Sequence, residues 1–156
     1  MTDVKKKFKL GKREENGLCR IIALQDFLNV KKGEQGGYIE KEDNLSHEGN
    51  AWVSGDARVY GNAQVYGNAW VYGNALVSGD ARVYGNARVY GNALVSGNAR
   101  VYDNARVYDN ALVSGRFNVT CKIDFELPRV KLDTTEKVEK LRKFLEDLEK
   151  EEKVTK

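Results

Sequence analysis

Few residues of this 156-residue chain could carry out chemistry. Its single histidine, His47, is the side chain that could act as a general base near neutral pH. The sequence shows no Ser-His-Asp order, no glycine-rich phosphate loop and no cluster with metal-ligand spacing. A structural role for His47, in a cap or at the surface, is therefore the better interpretation. We expect no catalytic residue, no cofactor and no metal site.

The cysteines, the charges and the hydropathy limit the expected cellular compartment and the classes of partner. Cys19 and Cys121 lie on either side of a repeated region and are expected to be free thiols. The net charge of +3 gathers into no strong basic stripe, which argues against a dedicated nucleic-acid binder. The sequence has no apolar run that could cross a membrane and no signal-peptide pattern after Met1. We therefore expect a cytoplasmic protein.

A six-residue unit repeats twelve times between residues 49 and 120. Ala and Val lie two apart in each unit, as in Ala57 and Val59, so both point to one side of a short strand. Gly followed by Asn or Asp suits a corner, because these residues tolerate positive φ. Aspartates at the corners, including Asp103 and Asp109, need no calcium to explain them. A short fixed period predicts a solenoid whose units stack and cannot fold alone.

A slower period of 18 residues predicts three strands in each coil. Every third unit has leucine at its fourth position and serine at its sixth, where tyrosine is usual: Leu76, Leu94 and Leu112, with Ser78, Ser96 and Ser114. The predicted fold is an all-β, three-sided parallel β-helix of about four regular coils that rise about 4.8 Å each.

The two periods assign the outward residues to three faces. The first face carries the leucines. The second carries Trp52, Trp70, Arg88 and Arg106, and the third carries Gln64, Arg82, Arg100 and Asn118. Two outward tryptophans are costly to expose and are typical of interface anchors, so the second face is the predicted partner-binding site. The tyrosine and arginine rows are interpreted first as packing within the rod and second as a binding surface.

The segments before and after the repeats are expected to cap the rod. Residues 1–48 should form an N-terminal β cap, with strands over residues 7–10 and 18–24 and then degenerate coils. In those coils Ile39 and Leu45 share the phase of the buried alanines, and Lys41 and His47 occupy valine positions. The solenoid should extend over residues 49–126, with residues 121–126 keeping the phase of the repeat.

Residues 127–156 are expected to form a linker and an amphipathic α-helix. Asp133 with Glu136 three residues later is a helix-start pattern. One side of the helix is apolar: Val138, Leu141, Phe144, Leu145 and Leu148. We expect this side to cover Leu76, Leu94 and Leu112, from the same chain or from a twofold-related subunit. The alternatives are a helix that caps only the end of the rod, or two leucine faces packed together.

The sequence resembles a known repeat family over roughly residues 18–120. The words GNARVYGNA, preceded by DFLNVKKGEQGGYIEKEDNLSHEGNAWV, are similar to the YdcK-type β-solenoid repeats of bacteria and their phages. The spacing of Val and Ala also resembles the hexapeptide repeat of left-handed parallel β-helix acyltransferases. The resemblance implies a left-handed coil, and it is specific for fold rather than for function.

Two classes of function remain open on this sequence. The first is a non-enzymatic interaction or scaffold protein that presents rigid side-chain rows to a protein partner, with a phage-encoded inhibitor of a host protein as one version. A homodimer through the leucine face or the C-terminal helix belongs to this class. The second is a reduced acyltransferase-like enzyme that acts at a subunit interface. The resemblance implies a histidine base and inserted loops for such enzymes, whereas the twelve units carry no insertion, which favours the first class.

Overall fold

A computed structural model of the chain describes residues 5–120, the backbone of residues 131–132, and residues 139, 142, 143, 145–147 and 150. The N-terminal strands are β1 (Phe8–Arg13), β2 (Cys19–Ala23) and β3 (Gln35–Ile39), and a 3-10 helix follows at Glu42–Asn44. Each repeat unit then contributes one two-residue strand. These strands are β4 (Trp52–Val53), β5 (Arg58–Val59), β6 (Gln64–Val65), β7 (Trp70–Val71), β8 (Leu76–Val77), β9 (Arg82–Val83), β10 (Arg88–Val89), β11 (Leu94–Val95), β12 (Arg100–Val101), β13 (Arg106–Val107), β14 (Leu112–Val113) and β15 (Asn118–Val119). The last strand is β16 (Lys131–Leu132).

Three sheets form the sides of the solenoid, as the 18-residue period predicts. The leucine sheet has the order β1-β2-β3-β5-β8-β11-β14-β16, in which β3 and the strands after it are parallel. The tryptophan sheet has the order β4-β7-β10-β13, and the arginine sheet has the order β6-β9-β12-β15. Leu94 pairs with Leu76 on one side and with Leu112 on the other. The leucines are therefore stacked on one face, and the predicted three-sided parallel β-helix is confirmed.

The interior of the rod is filled by the third and fifth residues of each unit. Ala81 and Val83 are fully buried, while Arg82 between them is exposed. The units from Ala57 to Val107 show the same burial of Ala and Val beneath a more accessible residue, because successive side chains of a strand point to opposite faces. In the last unit Phe117 takes the alanine position and is half-buried against the core. A core built from Ala and Val is narrow, so neighbouring coils must stabilise one another.

The N-terminal end of the rod would leave backbone carbonyls without partners if nothing replaced the missing coil. Within the rod these carbonyls accept from the preceding coil, as when Trp52 N–H donates to Ala69 O at 3.0 Å. At the first coil of the tryptophan sheet, the buried Lys7 ammonium donates to Ala51 O at 2.7 Å and to Gly49 O at 3.3 Å. Lys7 thus supplies the hydrogen bonds that a preceding coil would make.

Different groups cap the N-terminal ends of the other two sheets. On the arginine sheet, the buried Asn44 Nδ2 donates to Gly61 O at 3.1 Å and to Ala63 O at 2.9 Å. On the leucine sheet, strand β3 continues the ladder itself, with Tyr38 N–H donating to Ala57 O at 2.9 Å. Each of the three sides is thus closed by hydrogen bonds to its first carbonyls, which blocks the rod's N-terminal edge from pairing with another chain.

The phase of the degenerate coils differs from the prediction. Ile39 lies opposite Val59 and Leu45 forms a bridge with Val65, so both residues occupy valine positions rather than alanine positions. Gly37 then falls opposite the alanine position, and a Cβ there would approach a backbone oxygen of the next coil to 2.7 Å. The pattern is displaced by two residues because the cap approaches the first regular coil closely and needs glycine at the contact.

Several predictions concern residues toward the C-terminus. The predictions for residues 121–126 and for Cys121 lie outside the described residues, as do those for the helix start at Asp133 and Glu136. Cys19 is a buried free thiol, as expected. The described residues between 139 and 150 are helical, and Leu145 is half-buried. Val138, Leu141, Phe144 and Leu148 lie outside the described residues.

The buried Lys7 should give the protein an unusual pH dependence. Burial lowers the pKa of Lys7 from 10.5 to about 8. Between these values the unfolded chain binds more protons at Lys7 than the folded chain, so the free energy of unfolding should rise with pH. The contribution of Lys7 is the free energy of unfolding of the wild type minus that of Lys7→Met at each pH. We expect this difference to rise by about 2 kcal/mol between about pH 8 and 10.

Chemical denaturation across this pH range, followed by circular dichroism, measures the effect. The control is Lys9→Met, which removes an exposed lysine two residues away, in β1. A difference curve that is flat for Lys7→Met, or equally steep for Lys9→Met, would contradict the assignment of the effect to the buried ammonium.

Candidate interaction surfaces

The tryptophan sheet brings the predicted partner-binding residues into register. Trp52 pairs with Trp70, Trp70 with Arg88, and Arg88 with Arg106. Trp70 is half-buried, Arg106 is half-buried and Arg88 is exposed. Three of the four predicted residues therefore form a continuous surface along the rod.

The predicted exposure of Trp52 is wrong. Its side chain is fully buried, and the Phe27 ring packs against it edge-on at 5.2 Å between ring centroids. The Lys7 ammonium lies 5.3 Å from the centroid of the same Phe27 ring. The repeat period shows which residues point outward, but the N-terminal segment folds over the first coil and covers Trp52. Among the described residues, Trp52 Nε1 is a buried donor with no hydrogen-bond partner.

Tyrosine rings stack in two rows along the rod. Tyr66, Tyr84 and Tyr102 follow one another at 4.8 and 5.0 Å between centroids, with planes within 3° of parallel. Tyr72, Tyr90 and Tyr108 repeat this arrangement at 4.8 and 5.3 Å. Partial burial raises the pKa of Tyr66 and of Tyr72 above the usual value. The rings pack on each other, so the faces between neighbours are closed to ligands and the hydroxyl edges are what remains.

The leucine sheet presents an apolar row. Leu76, Leu94 and Leu112 are half-buried, and the serine that follows each strand is half-buried as well. Arg58 continues the row at its N-terminal end, and Lys131 pairs with Leu112 at the other end. The apolar row is thus three coils long and is preceded by a basic residue.

Comparison with known protein families adds the repeat type. A family model described as YdcK Beta solenoid repeat matches residues 51–67, 63–79, 69–85, 81–97, 87–103 and 105–117. The repeat region belongs to the YdcK β-solenoid repeat family. No curated protein matches the chain. The YdcK repeat thereby accounts for the coils, whereas recognition of a partner or ligand depends on the outward side chains.

His47 is held in the cap that precedes the YdcK repeats. Its Nδ1 accepts a hydrogen bond from Lys7 N–H at 3.2 Å, so the ring proton lies on Nε2, which donates to Glu42 Oε1 at 2.9 Å. The ring also stacks on Phe8, with centroids 4.2 Å apart. Hydrogen bonds from Lys6 and then from His47 lower the pKa of Glu42. With both ring nitrogens occupied, the geometry gives His47 a structural role.

Over the described ranges, no group of three or more histidine, cysteine or acidic side chains comes together in a way that could hold a metal ion. None of the helical residues that the structure describes belongs to a helix long and apolar enough to cross a membrane.

Proposed function

We propose that the chain is a non-enzymatic interaction or scaffold protein that presents rigid side-chain rows to a protein partner. The proposed contact is the tryptophan surface, defined as Trp70, Arg88 and Arg106. The observation that carries the proposal is the register of an outward indole with two arginines on a backbone hydrogen-bonded to neighbouring coils on both sides. Trp and Arg are the residue types that most often dominate binding energy, and a rigid surface loses little entropy on binding.

One form of this function is a phage-encoded inhibitor that binds a host protein in the bacterial cytoplasm. Affinity capture from a bacterial lysate, followed by purification of the captured protein and titration against the variants, tests the proposal. Trp70→Ala should weaken the complex about 30-fold, as for an interface residue that contributes about 2 kcal/mol. Arg58→Ala removes an arginine at the same position of a unit on the leucine sheet and should leave binding unchanged. The proposal would be overturned if Trp70→Ala and Arg58→Ala bound the partner equally well, or if no protein were captured at all.

A second contact is proposed on the leucine surface, defined as Leu76, Leu94 and Leu112. An apolar row on an otherwise polar rod favours a cover of matching chemistry. The C-terminal helix of the same chain is slightly favoured over a second subunit, because a tether raises the effective concentration. A homodimer through this surface or through the helix is the alternative.

Truncation after Asp133 tests this cover. Loss of the helix should expose the leucines, and the truncated protein should then aggregate or change its oligomeric state, as measured by light scattering after size-exclusion chromatography. A triple variant in which the leucines become Thr should restore solubility to the truncated protein, because polar side chains remove the exposed apolar row. A truncated protein with unchanged mass, stability and solubility would show that the helix does not cover the surface.

The alternative function is a reduced acyltransferase-like enzyme at a subunit interface. What supports it is the hexapeptide-like pattern alone, whereas the hydrogen bonds of His47 favour a structural histidine. A ligand that binds only the native state must raise the midpoint of thermal unfolding. We expect acyl-coenzyme A at about 1 mM to leave the midpoint within about 1 °C of its value without ligand. A clear upward shift would favour the enzyme.

A further inference from the structure

The arginine sheet departs from the repeat at its C-terminal end. The row of corner residues runs from Asp80 through Asn98 to Arg116, although asparagine is usual at this position. In the neighbouring row of outward residues, Arg82 and Arg100 are followed by Asn118, so an amide replaces the guanidinium in the last coil. These substitutions surround a surface cleft that is lined by Asn98, Arg100, Arg116 and Asn118.

Corner asparagines elsewhere in the rod bond to one another from coil to coil. Asn86 donates to Asn104 at 3.3 Å, and Asn92 donates to Asn110 at 3.4 Å. Asn98 breaks this rule, because Asp80 has no amide hydrogen to donate to it and Arg116 offers no amide oxygen to it. Within the described ranges, Asn98 makes no side-chain hydrogen bond of this kind. The cleft therefore contains amide groups that are free to bind a ligand.

The arginines of this face also lack anionic partners in the part of the chain that the structure describes. Arg82 lies directly opposite Arg100 in the ladder, and like charges in that position repel each other. Arg116 adds a third guanidinium beside the cleft, and all three side chains are exposed. Planar guanidinium groups next to amide donors suit carboxylate oxygens, which accept two parallel hydrogen bonds from one arginine.

The surroundings of the patch distinguish a protein carboxylate from a nucleic acid. Asp80 precedes Arg82 by two residues and Asp103 follows Arg100 by three, so the positive patch is short and bordered by negative charge. A continuous phosphate backbone would run onto those carboxylates. The tyrosines beside the arginines are stacked on each other, so they offer bases no row of open ring faces.

The axial spacing of the arginines favours a helical partner. Successive coils rise about 4.8 Å, which places three successive coils at about 0, 4.8 and 9.6 Å along the rod. Residues i, i+3 and i+7 of an α-helix lie at about 0, 4.5 and 10.5 Å along its axis. Alternate residues of an extended strand are about 6.7 Å apart and lose this match within two coils.

From these observations we infer that Arg82, Arg100 and Arg116, with Asn98 and Asn118, form a docking site for an acidic α-helix of a partner protein that lies along the rod. This site is distinct from the tryptophan surface and does not depend on it. Carboxylates at i, i+3 and i+7 of the partner helix face the three arginines.

Fluorescence anisotropy with a labelled, alanine-rich helical peptide tests the site. The striped peptide carries Glu at i, i+3 and i+7, and the scattered peptide has the same composition with the three Glu residues distributed around the helix. The striped peptide should bind at least about tenfold more tightly than the scattered one, and Arg100→Gln should weaken it at least about tenfold. Binding should also weaken when the salt concentration is raised from about 50 to 300 mM.

Arg58→Gln is the matched control, since it removes one exposed arginine from the fourth position of a unit on another face. It should change the affinity less than about twofold. The site is disproved if Arg58→Gln weakens binding as much as Arg100→Gln, if the two peptides bind equally, or if a single-stranded oligonucleotide of similar length binds more tightly than the striped peptide. If the peptide test fails while a partner is still captured through Trp70, the helix site alone is overturned and the proposed function stands.

Discussion

Val83→Asp should abolish the folded rod. Val83 is fully buried in β9 and stacks between Val65 and Val101 of the neighbouring coils. A carboxylate at this position would be surrounded by Ala and Val side chains that offer it no hydrogen bond. The loss of apolar burial and the desolvation of an unpaired charge should together cost at least about 4 kcal/mol. That is a large share of the 5–15 kcal/mol or so that stabilises a typical domain.

Circular dichroism and urea denaturation of Val83→Asp measure this loss. The control is Gln64→Asp, which places the same carboxylate on the outward side of a neighbouring strand of the same sheet, where Gln64 is exposed. The control should change the free energy of unfolding by less than about 0.5 kcal/mol. Acidification should partly restore Val83→Asp, because the neutral acid is cheaper to bury than the carboxylate. A cooperative transition near the wild-type midpoint at neutral pH would contradict a dry, tightly packed core.

The sequence contains enough information to predict the regular coils. The six-residue period places Ala and Val inside, and the 18-residue period places Leu76, Leu94 and Leu112 in one sheet, where they are found. Both predictions succeed because each unit repeats the same local geometry and contacts only the equivalent units before and after it. A pattern of this kind needs no knowledge of distant contacts.

The cap could not be predicted in the same way, because its contacts are not periodic. Lys7 caps carbonyls that lie more than 40 residues away in the sequence, and Phe27 covers Trp52. The sequence signals are weak: one lysine among several near the N-terminus and one phenylalanine between degenerate segments. The two-residue displacement of Ile39 and Leu45 has the same origin, since close approach of the cap rather than the repeat period sets their positions.

The candidate sites were likewise predictable where they follow the repeat period and not where they depart from it. The period correctly predicts that Trp70, Arg88 and Arg106 share one face, but burial of Trp52 by the cap was missed. The cleft on the arginine sheet was missed for another reason. Its signal is the replacement of Asn by Arg116 and of Arg by Asn118 in the last unit, which is easily taken for decay of the repeat. Departures from a repeat at outward positions are therefore as informative as the repeat itself.

Gly85→Ala should destabilise the rod by about 3 kcal/mol, the second largest effect expected. Gly85 lies at a corner with φ of +67°, and a Cβ there would come 2.8 Å from the Asp103 nitrogen of the next coil. The left-handed conformation costs a residue with a Cβ about 1–2 kcal/mol, and the backbone clash adds strain that the neighbouring coil relieves only by moving. Thermal and urea unfolding of the purified variant measure the loss.

Asp103 provides the matched control, because it occupies the same corner one coil further along. It already adopts a positive φ of 58° with a side chain present, and no regular repeat follows its coil in the sequence. Asp103→Ala should therefore cost less than about 1 kcal/mol, chiefly because aspartate tolerates the left-handed region better than alanine. If Gly85→Ala and Asp103→Ala lose equal stability, conformation alone explains the corner glycines. A larger loss for Gly85→Ala means that the approach of the next coil, in addition to the left-handed conformation, requires glycine at this corner.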